Sequence, residues 1–383
     1  VQGMVAATMN YRWIGVRDGS GGRFEPSGLG QSTQSETPTT PLPDETNVPN
    51  RGTIRFEWLG DPASTPENAV RLSMRDPVPM LFTIRIDPDG TVALLMRRNE
   101  TDILVTLDLP ACPAGSRMTI QYGWDLDAQL GYLWAEIPSI NTYRLRPIPA
   151  SLGLSTAEIR QLVSDPRKCP ISEKVIYVSV AEGLVPAGSL PGLDGAGLVE
   201  MTDGTSRPLA SITRGDEILS ADGAPAQVRW VGSADVPAGG RMTPFRVNTP
   251  YHGARTPLTL AGMARLRLGG IAVEYLFGEP EVAVQVRHLK DNVAIVPARP
   301  DHELLSRPLI RYHQLVLDRW VPIRLSGVVV ETLDCSQLKG HPDLHFRSVL
   351  ATLPPEILSR DTGSRCKLLR DYEAQSLRQM QAA

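Results

Sequence analysis

Any chemistry in this chain has to come from a small set of side chains. Two carboxylate pairs stand in turn-like stretches, Asp87 and Asp89 in "DPDG" and Asp125 and Asp127 in "WDLD". A hard cation such as Ca2+ needs several oxygen ligands converging on one point, so the pairs would have to meet to hold one. As isolated turn formers they are solvated, and no cofactor is expected. Trp58, Trp124 and Trp134 offer flat faces to a sugar ring if exposed and fill a core if not. His341 and His345 are four residues apart, but in a proline-broken segment without further ligands nearby, which favours a solvated turn over a metal. His288 in "VRHL" and His313 in "YHQLVL" each lie in a strand-like run, where a lone histidine is usually structural. Cys112, Cys169, Cys335 and Cys366 form neither a CxxC nor a Cys/His ligand spacing, so neither zinc nor a dense disulfide framework is suggested.

The elements that must carry these groups are short strands. Gly 33 and Pro 33, with β-branched residues in short runs, point to an all-β chain with many turns and little helix. Lys+Arg 39 against Asp+Glu 42 leaves no basic surplus to neutralise a phosphate backbone, which argues against a nucleic-acid partner. No run approaches 18 apolar residues and the first residues lack the basic and apolar regions of a secretory signal, so no membrane span is expected.

At 383 residues the chain is long enough for two cores. Residues 1–49 read as one strand in "TMNYRWIG" followed by an extended or disordered Pro/Ser/Thr-rich arm, because residues 20–52 hold almost no aliphatic side chains. Residues 50–186 read as a sandwich. Ile54, Phe56 and Trp58 alternate with Arg55 and Glu57, the mark of a half-buried strand. Phe82, Ile84 and Ile86 lead through the 87–90 turn to Val92, Leu94 and Met96, a hairpin. "STAEIRQLVSDP" is the best short helix, with Ser155 or Thr156 as N-cap and Glu158 in its first turn. A Gly-rich junction covers 187–197, a second β domain 192–350, and a helical tail 351–383. In that tail Leu369, Tyr372, Ser376 and Met380 make a narrow apolar stripe. It docks either on its own domain or on a neighbouring subunit.

The hairpin followed by "RMTIQYGWDLD" resembles the concanavalin-like and laminin-G-like jelly rolls, which implies a sandwich that binds glycans or protein ligands, sometimes through calcium. From about residue 192 the motifs "GLVEMTDG", "LASITRGDEILSADG", "AQVRWVG", "EVAVQVRHL", "RYHQLVLDRW" and "GVVVETL" resemble the Hint domains of hedgehog proteins and inteins, in particular a bacterial form. That resemblance implies self-cleavage by a nucleophile at the first residue, with a histidine protonating the leaving amide nitrogen. It places the nucleophile at Gly192 or its neighbours Leu193 and Asp194, and the histidine at Ala264 in Ala261–Arg265. Two further family histidines fall near Gln314 and at Trp320. None of these residues can do the chemistry, and Arg265 stays protonated. Ser189 and Cys335 are the nearby substitutes, each without a partnered base.

The resulting expectation is a non-enzymatic structural or surface protein whose two β modules serve assembly or adhesion, as in a coat, filament or phage-like particle. Its partners would be proteins or further copies of itself. The alternatives are autoprocessing near 190–194 and glycan binding. The resemblance implies an extracellular or cell-surface location, with a particle assembled in the cytoplasm as the other option.

Overall fold

A computed structural model describes residues 11–30, 45–61, 65–76, 78–165, 167–188, 190–298, 308–335, 338, 341–351, 353–354 and 366–382. They fall into two compact units, one essentially within residues 9–185 and the other within 186–300 and 310–383.

The first unit is a β-sandwich of two antiparallel sheets. Its strands are β1 (Arg12–Asp18), β2 (Gly21–Phe24), β3 (Arg51–Leu59), β4 (Glu67–Met74), β5 (Met80–Ile86), β6 (Val92–Arg98), β7 (Thr101–Leu107), β8 (Arg117–Asp125), β9 (Leu130–Ile137), β10 (Thr142–Pro149) and β11 (Val175–Glu182). Seven form one sheet in the order β10-β9-β8-β3-β11-β1-β2, and β4 to β7 form the other in sequence order. The first strand pairs with the last, Arg12 opposite Glu182. Alternation drives the hairpin of β5 and β6, closed with Ile86 opposite Val92. Phe82, Ile84, Val92, Leu94 and Met96 are all in the core. A chain of rings crosses from sheet to sheet, with centroids 6.2 Å apart for Phe56 and Phe82, 6.1 Å for Phe82 and Tyr122, and 5.7 Å for Tyr122 and Trp124.

Two expectations change here. β3 is buried on both faces, because Arg55 and Glu57 are only 4% and 2% exposed. It is the middle strand of its sheet, where Arg55 Nε donates to Gln121 Oε1 at 3.0 Å and Glu57 pairs with Arg117 at 3.3 Å. The described parts of the N-terminal arm also belong to the sandwich. β1 and β2 extend its large sheet, and the carbonyls of Asn47 and Glu45 accept the Thr156 and Ala157 amides at the start of a helix. That helix, α1 (Thr156–Ser164), carries a capping box in which Ser155 and Glu158 satisfy each other's backbone amides. Residues 31–44 of the arm lie outside the described residues.

The second unit has β12 (Leu198–Glu200), β13 (Ser206–Pro208), β14 (Glu217–Leu219), β15 (Pro225–Pro237), β16 (Pro244–Val247), β17 (Leu258–Ala261), β18 (Arg265–Gly269), β19 (Glu281–Gln285), β20 (Ile295–Pro297), β21 (Leu309–Leu317), β22 (Ile323–Leu325), β23 (Val328–Val330) and β24 (Lys367–Leu368), with helices α2 (Ile271–Phe277), α3 (Pro342–Arg347) and α4 (Asp371–Ala382). They make a seven-stranded sheet in the order β13-β12-β22-β23-β18-β19-β24 and two three-stranded sheets, β14-β15-β21 and β17-β16-β20. The Gly-Asp pair of the second motif, Gly215 and Asp216, builds a turn. Gly215 has φ +98°, and the Asp216 carboxylate accepts the Thr213 amide at 2.8 Å.

The tail packs on its own unit, with only Leu369 of the expected stripe taking part. Leu369, Ala374 and Leu377 enter the core, whereas Tyr372 and Met380 are 60% and 38% exposed. Leu369 precedes the first helical residue, Asp371, so it is out of phase with the helix.

Candidate functional site

The junction with the second unit is where the motifs place chemistry, and here the chain is stitched down. Gly192 C=O accepts the Ala261 amide at 2.9 Å, Leu193 and His313 exchange backbone hydrogen bonds at 2.9 and 2.8 Å, and Gly195 C=O accepts the Ala210 amide at 2.8 Å. The Asp194 carboxylate spans the gap between these ties, taking the Ala196 amide at 2.9 Å and the Thr259 amide at 3.1 Å. A Gly-rich composition therefore does not make residues 192–197 a loose linker.

The fold brings Gly192, Ala261 and Ala264 together. A Cβ on Gly192 would stand 3.1 Å from the Cβ of Ala261 and 3.9 Å from that of Ala264. The 261–264 segment closes on itself, Ala264 N donating to Ala261 O at 2.9 Å, and is tied to the strand end behind it by Val286 N to Ala264 O, also 2.9 Å. These facing surfaces are methyl groups and backbone, with neither a proton carrier nor a nucleophile. Gln314 turns back to accept the Leu315 amide at 3.1 Å. Trp320 donates to Thr332 O at 3.2 Å and lies under the Arg267 guanidinium, 5.5 Å from its ring centre. Arg265 pairs with Glu331 at 3.3 Å.

The substitutes are placed as follows. Ser189 lies outside the described residues. Cys335 is buried, with its Sγ 3.7 Å from Leu333 O. Among the described residues none of the four cysteines is in a disulfide. Burial pushes the Cys112 and Cys169 thiols up to about 12 and that of Cys366 up to about 11, so none of these three is primed as a thiolate. His288 lies in a 3-10 turn, Val286–Leu289, rather than a strand, because β19 ends at Gln285. His345 Nε2 is 2.8 Å from Leu350 O, one turn along from His341.

His313 is the residue that linear spacing misses. It falls one position out of register with the family histidine, yet its strand delivers it to Leu193. Its ring covers Gly195 so closely that a Cβ there would sit 2.4 Å from Cε1 and 2.5 Å from Nδ1. The strand pattern marks His313 as a lone strand histidine, and only the absent side chain at residue 195 hints at the contact between the two.

In the sandwich, the ligand candidates do not form a site. Trp58 and Trp124 are core residues, 2% and 0% exposed, and Trp134 is 1% exposed. Burial takes their faces away from solvent, the core reading of the two that the sequence offers. Asp87 and Asp89 stand in the β5–β6 turn, where Asp87 pairs with Arg85 at 2.7 Å and Asp89 takes the Thr91 amide at 2.9 Å. That amide holds the Asp89 carboxyl below its ordinary value. Asp125 pairs with Arg51 at 2.9 Å, while Asp127 is exposed in the turn between β8 and β9, strands of the other sheet from that of the first pair's hairpin. Among the described residues no three His, Cys, Asp or Glu side chains are grouped to hold a metal ion.

Residues 193–336 match the family model of the Hint domain. This stretch is similar to Hint domains in its family-model match. Among solved structures, the MchDnaB-1 intein is 16% identical, with 37% of this chain and 99% of that one covered and a TM-score of 0.25. The CBM40 of Ruminococcus gnavus IT-sialidase, bound to α2,6 sialyllactose, is 15% identical over 34% of this chain and 75% of that one, with a TM-score of 0.24. Tailspike protein 2 from Escherichia coli O157:H7 bacteriophage CAB120 is 17% identical over 36% of this chain and 18% of that one, with a TM-score of 0.22. Comparison with curated protein sequences gives no match.

Proposed function

We propose that this Hint domain does not process its own backbone and that the chain works as a structural protein, its sandwich and Hint domain serving as rigid modules for assembly or adhesion. The observation that supports this is the Gly192–Ala261–Ala264 contact. The reaction needs a nucleophile at the junction and a proton donor to the leaving amide, and the residues facing each other there carry methyl groups or hydrogen. Its partners on this reading are proteins or further copies of the chain, at a cell surface or in an assembled particle. No helix among the described residues is long and apolar enough to cross a membrane.

The test is intact mass. The purified chain should keep its 41.8 kDa through treatment with a thiol or hydroxylamine, either of which would open an ester or thioester. A break near residues 190–194 that depends on either reagent would overturn the reading.

A further inference from the structure

We propose that His313 is an acid-sensitive latch: neutral, it clamps the 192–195 segment onto β21, and protonated, it releases that segment. The argument rests on what surrounds its ring. The Nδ1 edge faces Gly195, close enough that only a residue without Cβ fits beneath it. Nδ1 is buried and has no hydrogen-bond partner among the described residues. In the neutral ring with its proton on Nε2, Nδ1 carries only an unpaired acceptor, a small penalty. In the imidazolium both nitrogens carry protons, so a charged N–H would be pressed against the Gly195 backbone with nothing to receive it, which is far more costly.

The charged groups around the ring do not offset this. From its own strand comes Arg311, from β15 Asp235, and from the incoming segment Asp194. Arg311 and Asp235 are already paired with each other at 2.9 Å. Both Asp194 oxygens are taken by backbone amides. Burial is accordingly the first cause, and the Arg311 cation the next, of a His313 value below the ordinary 6.5. Because the folded state disfavours the proton, the latch is fully closed above the unfolded value and weakens as pH falls below it towards the folded one.

What opens is local, since Leu193 meets β21 at His313 by a single isolated backbone bridge rather than by a ladder. The inference does not depend on whether the domain cleaves. It is tested by hydrogen exchange on the full chain, with rates corrected for the intrinsic effect of pH. Protection at the Leu193 and His313 amides should fall roughly tenfold between about pH 7.5 and about pH 5, while amides of β18 and β19 keep theirs. In His313→Phe, which keeps a ring but no titration, that protection should not change with pH. His313→Gln serves the same purpose should the larger ring fail to fold. Constant protection in the parent, an equal loss in the folded variants, or a uniform loss across the domain would each overturn the latch.

Discussion

Arg267 Nε donates to Glu331 Oε1 at 2.7 Å with the two side chains only 3% and 6% exposed. Arg267 also reaches Glu281 at 3.1 Å and covers Trp320, so one buried cation organises β18, β19 and the chain beyond β23. Removing one partner of a buried pair strands the other. Glu331→Gln should therefore destabilise the second unit by about 3 kcal/mol in urea unfolding. The exposed pair of Arg97 and Asp102, 58% and 51% exposed, is the contrast: Asp102→Asn should leave the sandwich transition in place.

A methyl group at residue 195 has nowhere to go without displacing His313. Gly195→Ala should lower stability by about 1–3 kcal/mol, the range for overpacking. In a His313→Ala background the same change should cost much less, and the coupling in a double-mutant cycle is the measurement that decides. Additive effects would mean that the ring simply swings aside.

Gly192→Cys alone should not produce efficient cleavage. It supplies a thiol beside Ala264, and that methyl group gives the leaving nitrogen no proton. Mass spectrometry after thiol treatment should find the chain whole, and a substantial fraction cut between residues 191 and 192 would show that another group donates.

The Asp216 carboxyl is held below its ordinary 3.8, first by the Thr213 amide and also by the Arg207 cation. A carboxylate favoured by folding stabilises above the unfolded value and stops doing so as pH falls through the folded one. The stability advantage of the parent over Asp216→Asn should thus be level at neutral pH and shrink below about pH 4. An advantage that persists at about pH 2 would show that the turn depends on shape rather than charge.

Ser155→Ala removes one half of a reciprocal cap and should cost the sandwich about 1 kcal/mol, read as a lower Tm.

Which of these features could be read from the sequence follows from how much signal each leaves. Phe82 to Met96 was legible because large apolar residues alternate on both arms of a tight turn, and Ser155 with Glu158 because a capping box has a fixed spacing. Arg55 and Glu57 misled, since polar side chains on alternate positions look the same whether they meet water or each other. The α4 stripe was misread because its buried residues include Ala374, too small to register as apolar. At the junction, motif order points to Gly192 and Ala264, whereas the contact of His313 with Gly195 is not legible. Its role arises from a strand folding back across more than a hundred residues, which leaves no trace in local spacing.

The pairing of β1 with β11 has a topological consequence. Arg12 and Glu182 face each other across the two strands, and their side chains form an ion pair, so the sandwich begins and finishes at the same corner. A module with adjacent ends can be spliced into a loop of a host protein without stretching the host, and its ends can be joined by a short linker and reopened elsewhere. The turn at Asn99, where φ is +52° between β6 and β7, is one place to reopen it.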